Sequence, residues 1–315
     1  MFYSDKDIIG VPTSLGLGAS PSYIKPSVFK SAFAIYGVVD YVGTGSNVVR
    51  FYNSSASSSE RDFTATELTD GTYTTWLDGA SSAITRVAKL YNQLGDSDLD
   101  LSNPSSSGRP YYETSENTIR YDTTGYFQFA SISTNASGAV SKIGNAFEDN
   151  ITTSDTSFVL GARKKDDTLY GLPVSGRTMF ALRDTYTPST PWGSKHKAIA
   201  ITTGQYSDDI AISARGNDNT QVIEEHDTFD HSTLKTYIGE IQRQPVSSET
   251  STDMNLFVNG TQEVDTNTTS LDNDIDIGRI YLGDNRYIMK GAILFNKILT
   301  TQEKAEIHTR MSEDY

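Results

Sequence analysis

The chain has 315 residues, a formal net charge of −14 and no cysteine. That charge repels phosphate backbones and anionic headgroups, which argues against nucleic-acid and membrane-surface partners, and the missing thiols exclude disulfides, thiolate catalysis and thiolate zinc sites. Hydrophobic residues make up only 36%, while Ser, Thr, Asn, Asp and Gly abound, a mixture that suits short strands and many turns, so an all-β chain is expected.

Residues 1–33 read as an N-terminal arm, with three of the nine prolines and the Gly16-Leu17-Gly18 stretch but no clear apolar period. Its first residues, MFYSDKDIIG, carry acids where a secretory signal would be basic and then apolar, and no run of about 18 apolar residues follows. A soluble chain without a secretion signal is expected. Residues 34–39 and 48–52 read as strands around a Gly-rich turn, and the polar run 53–61 as a loop. A short helix near 74–77 and a strand over 84–91 come next, then a loop over 96–109. Short strands are expected at 110–112, 119–121 and 126–129, and longer ones at 157–162, 178–182, 197–202, 210–214, 236–242, 255–258 and 279–282. The last segment is the convincing helix, capped by Thr300 or Thr301, with Glu303 in its first turn and Ala305, Ile307, His308 and Met311 at helical spacing. No repeat or linker divides residues 34–315, which are read as one domain.

The C-terminal text carries a resemblance. Asn255-Leu256-Phe257-Val258-Asn259-Gly260, Ile280-Tyr281-Leu282-Gly283 and the run from Lys290 to Glu303 resemble the closing strands, Asn-Gly turn and capped helix of concanavalin A-like and laminin-G-like sandwiches. In the N-terminal half, Val48-Val49-Arg50-Phe51-Tyr52-Asn53, Leu90-Tyr91-Asn92-Gln93-Leu94-Gly95-Asp96 and Arg109-Pro110 resemble the sandwich of arabinofuranosidase B and related sandwiches of phage and viral structural proteins. That family usually reads Trp-Tyr-Asp-Gln-Ser-Gly in the middle element, so Asn92 and Leu94 depart from it. The resemblance implies a concanavalin A-like antiparallel β-sandwich, or jelly roll, with a short C-terminal helix. The family's paired catalytic carboxylates and its cysteines have no counterpart here, which favours a non-catalytic chain.

Several constellations are candidates for chemistry. The run Glu224-Glu225-His226-Asp227 offers acid and base groups; neighbours on a strand face opposite sides, so Glu225 and Asp227 are the pair that could share a substrate. A solvated charge run is the blander reading. Asp96, Asp98 and Asp100 have a spacing that lets carboxylates converge on a hard cation, which makes calcium the one cofactor the sequence offers, although the EF-hand pattern is absent. Asp272, Asp274 and Asp276 repeat the spacing. The aromatic content singles out Trp192 and Tyr186 for glycan or partner binding, since rings stack on sugars and anchor interfaces alike.

The reading that follows is a non-enzymatic virion-type structural or adhesion module, a decoration, fibre or minor capsid protein. It would bind a scaffold through residues 1–33, form a homo-oligomer and contact surface glycan. A virion location rests on the resemblance alone. The rivals are a glycoside hydrolase or polysaccharide lyase of the same fold working through Glu225 and Asp227, and a plain lectin module.

Overall fold

The computed structural model describes residues 27–121, 130–147, 155–164, 178–183, 198–203, 209–215, 221–226, 233–246, 249–268, 278–283 and 286–313. In chain order its strands and helices are β1 (Ala34–Gly37), β2 (Asn47–Tyr52), β3 (Glu60–Thr64), α1 (Thr72–Leu77), β4 (Arg86–Leu90), β5 (Leu101–Ser102), β6 (Tyr111–Glu113), β7 (Thr118–Tyr121), β8 (Ser131–Thr134) and α2 (Ser137–Phe147). These are followed by β9 (Thr156–Lys164), β10 (Thr178–Arg183), β11 (Ala198–Thr203), β12 (Ile210–Arg215), β13 (Gln221–His226), β14 (Lys235–Val246), β15 (Glu249–Val258), β16 (Thr261–Thr268), β17 (Arg279–Gly283), β18 (Tyr287–Phe295) and α3 (Thr301–Ser312).

All the strand pairings are antiparallel, and they fork at β4. The start of β4 pairs with β6 through Arg86 and Tyr111, and from there the ladder runs β6–β7–β18–β9–β14–β15–β16. The end of β4 pairs with β5 through Lys89–Ser102 and Leu90–Leu101, and that ladder runs β5–β8–β17–β10–β11–β12–β13. Strands β3 and β2 pair in order onto β4 at the corner. The two ladders lie face to face. A methyl group on Gly239 of β14 would come within 2.9 Å of Ile212 and 3.3 Å of Ile201 on the opposing strands, and Phe158 of β9 meets Phe180 of β10 edge to face at 5.2 Å. The architecture is an antiparallel β-sandwich, as expected, filled by alternate apolar residues of both sheets.

Strand β18, YIMKGAILF, is buried along its whole length, flanked by β9 on one side and by β7 and then β1 on the other. Its outer-facing Ile293 and Phe295 join Val159, Ile238 and Phe257 in a second apolar layer. Helix α3, through Ile307 and Met311, and Val28 and Phe29 of the 3₁₀ turn Ser27–Ser31 cover that layer. Thr300 caps α3: its hydroxyl accepts from the Glu303 amide while the Glu303 carboxylate accepts from the Thr300 amide. Lys304 and buried Glu240 of β14 pair at 2.8 Å beneath the helix. No described helix is long and apolar enough to cross a membrane.

Two loop expectations need correction, and α2, β13 and β16 lie where no element was expected. The loop over 53–61 gives way at Glu60 to β3, whose outer charges Glu60 and Asp62 hide a strand that buries Phe63. The loop over 96–109 contains the two-residue strand β5. Residues 137–147 form α2, which the Gly and Ser content concealed although Ala139, Ile143 and Phe147 repeat every fourth residue on its buried side. The polar sequences of β13 and β16 also pair as strands. Residues 126–129 lie outside the described residues.

Candidate binding face

The family-like segment 90–96 serves the scaffold. Asn92 and Gln93 are buried; the Asn92 side-chain carbonyl accepts from the Ile35 amide at 3.1 Å, and Gln93 accepts from the Tyr41 amide at 2.9 Å while donating to the Val39 carbonyl at 2.7 Å. Both side chains staple the β1 segment to the end of β4. Asp100 accepts the Asn92 amide at 2.8 Å and pairs with Lys89 at 2.8 Å.

Where the ladders diverge at β4, a groove of about 320 Å³ opens between Arg50, Glu60, Ala88, Lys89, Ser102, Asn103 and Arg109. Its origin is local. The register of β4 against β2 slips at Ala88, because Arg50 faces Lys89 while Phe51 faces Val87, and such a bulge bends the strand and ends simple pairing. Residues 103–110 fill the gap: the Pro110 carbonyl accepts the Val87 amide at 2.8 Å, and Arg109 reaches back to donate to the Asn103 carbonyl at 2.8 Å.

The charges on these walls are paired. Arg50 grips Asp62 with two hydrogen bonds of 2.6 and 3.0 Å, and the Tyr91 hydroxyl adds a third at 2.7 Å. The Arg50 bond is the main reason the Asp62 carboxyl sits below its ordinary value, with Tyr91 assisting and burial opposing. Burial first, and then Asp62, raises the Tyr91 phenol. Arg109 pairs with Glu60 at 3.1 Å while lying over the Tyr52 ring.

From Glu60 a cross-strand row runs in register across seven strands: Glu60, Tyr52, Arg86, Tyr111, Arg120, Ile288 and Arg163. Directly opposed residues share a face, and the intervening residues Phe51, Val87, Tyr112, Ile119 and Met289 point to the core. Arg86 lies 3.7 Å and Arg120 4.7 Å from the centre of the Tyr111 ring. Arg120 pairs with Glu113, and Arg163 with Glu116. The row ends at a second, larger cleft of about 750 Å³ between the β6–β7 turn and the end of α3, bordered by Ser115, Glu116, Asn117, Arg163, Thr233 and Ser312.

Of the residues singled out from the sequence, only Asp100 meets the groove, through Lys89, among those that are described. Glu225 sits on β13 opposite Ala211, and Glu224 opposite Ile212; Asp227, Trp192, Tyr186, Asp272, Asp274 and Asp276 lie outside the described residues. Asp96 and Asp98 both close on the ammonium of Lys142, at 2.6 and 3.0 Å, while Asp100 turns to Lys89. Two lysines of the chain itself thus engage the three aspartates, and no group of three metal-ligating side chains converges among the described residues. The arginines and tyrosines of the row went unnoticed, although polar residues two apart on half-apolar strands, Arg50 with Tyr52, Glu60 with Asp62 and Tyr111 with Glu113, signal an outer polar face.

No protein-family model and no curated protein matches the chain. Solved structures do. An α-L-arabinofuranosidase of glycoside hydrolase family 54 aligns at 10% identity over 90% of this chain and 64% of its own, with a TM-score of 0.52. A structure of botulinum neurotoxin type C, whose cell entry depends on interaction with two ganglioside molecules, aligns at 11% identity over 71% of this chain and 49% of its own, with a TM-score of 0.44. Trypanosoma rangeli sialidase aligns at 8% identity over 70% of this chain and 31% of its own, with a TM-score of 0.40. The chain thus spans less than two thirds of each of these proteins, and at these identities the likeness to the arabinofuranosidase establishes the fold alone, an antiparallel β-sandwich.

Proposed function

We propose that the chain is a non-catalytic carbohydrate-binding β-sandwich, an adhesion module whose contact surface is the groove at the β4 fork. The observation that carries this reading is the pairing of Arg50, Lys89 and Arg109 with Asp62, Asp100 and Glu60. A groove walled by paired charges offers many oriented donors and acceptors at little net charge, which suits a hydroxyl-rich ligand, and the planar guanidinium groups give it flat faces. The same pairing argues against hydrolysis, which needs one carboxyl that keeps its proton near neutral pH. The carboxyls raised by burial among the described residues, Asp155 and Glu240, do not border the groove. The sugar-cleaving neighbour is a compatible setting for a reading that rests on the groove itself.

Trp192 and Tyr186 belong to the proposal as further aromatic contacts. A virion setting, scaffold contacts through residues 1–33 and homo-oligomerisation extend it on the strength of the sequence resemblance alone. A glycan array and a reducing-end turnover screen on the full chain test the reading: binding without cleavage, weakened by Arg109→Lys, is expected. No bound glycan on the array sinks it, and cleavage that Glu225→Gln abolishes replaces it with the hydrolase.

A further inference from the structure

We infer that the bound glycan is an extended acidic polysaccharide, lying along the row from the β4 fork to the cleft beside α3 with its carboxylates on Arg109, Arg120 and Arg163. This rests on the carbohydrate reading and specifies the ligand. Seven strands carry the row, and six steps of roughly 4.8 Å make a track of about 29 Å, too long for one sugar and suited to a chain. Among the described residues the row meets one of the two grooves at each end, at Glu60 and at Arg163.

The chemistry of the track favours acid groups on the ligand. The cations are held and largely buried: the side chains of Arg109, Arg120 and Arg163 are 11, 21 and 15% exposed, against 40, 30 and 40% for their partners Glu60, Glu113 and Glu116. Arg109 is fixed by the Asn103 carbonyl, and Arg120 by the Tyr111 ring. The glutamates stand on the solvent side of each pair, Glu116 in the turn between β6 and β7. Ion pairs with an exposed partner contribute little, so a ligand carboxylate can take the place of a glutamate without disturbing the arginine. Held forks recognise carboxylates bidentately. Among the named residues Arg86, Arg109, Arg120 and Arg163 outnumber Glu60, Glu113 and Glu116 by one, so the row carries a small positive excess in a chain of net charge −14.

The test compares polygalacturonate with the same polymer fully methyl-esterified, by titration calorimetry on the full chain over a series of lengths. The free acid is expected to bind at least about tenfold tighter, an effect the size of one charge-assisted hydrogen bond. Affinity should rise with length until the chain spans the track and then level off. Arg120→Gln and Arg163→Gln should each cost the free acid about tenfold and the ester clearly less. Glu113→Gln and Glu116→Gln remove the competing carboxylates and should tighten acid binding, a gain that misfolding cannot imitate. Equal affinity for acid and ester overturns the acidic ligand while carbohydrate binding stands, whereas silence on the glycan array removes the carbohydrate reading itself. Single-stranded DNA of equal length binding as tightly as the polygalacturonate also overturns the inference, since charge alone would then suffice.

Discussion

Removing the carboxylate of Glu240 should loosen α3 from the sandwich. The side chain is 1% exposed, pairs with Lys304 at 2.8 Å and accepts the Leu299 amide at 3.0 Å; Lys304, itself 13% exposed, lies 3.8 Å from the centre of the Phe257 ring. Glu240→Ala strands a buried ammonium, which costs roughly 3–5 kcal/mol. Glu240→Gln keeps an acceptor for Leu299 and matches the uncharged form that burial favours, so it should cost less than about 1 kcal/mol. Adding Lys304→Met to Glu240→Ala removes the stranded charge and should recover part of the loss, so the two changes are not additive. The pH dependence has a definite sign. Burial raises the Glu240 carboxyl above its ordinary value, with Lys304 opposing, so the fold favours the protonated form. Its contribution is complete below the ordinary carboxylate value and is lost as pH rises through the raised one. Measured by urea unfolding from about pH 4 to about pH 7, the wild type should lose stability relative to Glu240→Gln. A loss below about 1 kcal/mol in Glu240→Ala, the range of exposed pairs, would mean that the Glu240–Lys304 pair does not hold α3 in place.

Three further outcomes follow from the same geometry. Gln93→Ala leaves the Tyr41 amide and the Val39 carbonyl without their side-chain partner and should cost about 2–4 kcal/mol by urea unfolding, whereas a change within about 0.5 kcal/mol would remove the staple from the account. Arg109→Lys keeps the charge but loses the fork that serves Asn103 and Glu60 together; binding should weaken about tenfold in the glycan assay with little change in stability, and wild-type affinity would exclude Arg109 from the site. Because Lys142 and Lys89 already engage Asp96, Asp98 and Asp100 and draw Asp100 away from the other two, neither calcium nor a chelator should move the unfolding midpoint through this cluster. A calcium-dependent rise that Asp98→Asn abolishes would reinstate the metal there.

The fold was legible where composition and period agree. The β14–β18 text carries apolar alternation, an Asn-Gly pair that takes up φ of 51° and 84°, and a capping box at Thr300, all local signals. Strand β3 and helix α2 were hidden because the residues that mark them serve distant partners: Glu60 belongs to Arg109, Asp62 to Arg50, and Gly138 packs beside Asp98. The candidate site was less legible still. Its members come from β2, β3, β4, β5, β6, β7, β9, β18 and the loop before β6, and only strand register sets Arg86 beside Tyr111 and Arg120. Charge runs such as Glu224-Glu225 drew attention instead, since adjacency in sequence is visible and adjacency across a sheet is not.

The fork at β4 explains why the polar surface lies where it does. One outer face of the sandwich is used for stability, since α3 and the 27–31 turn cover Val159, Ile238 and Ile293. A row of arginines there would be buried at a cost of several kcal/mol for each uncompensated charge. The β6–β7 hairpin continues the same face of the sheet beyond the edge of that cover, so Arg120 and Tyr111 remain at the surface while Tyr112, Ile119 and Tyr121 still fill the core. Arg163 sits at the boundary, where α3 ends at Ser312 and the larger cleft begins. The helix that stabilises the fold thereby also forms one wall of the surface assigned to binding. Loosening α3 through Glu240 should therefore weaken acidic-chain binding at the Arg163 end and leave the Arg109 end unchanged, a separation that short and long polygalacturonates can resolve.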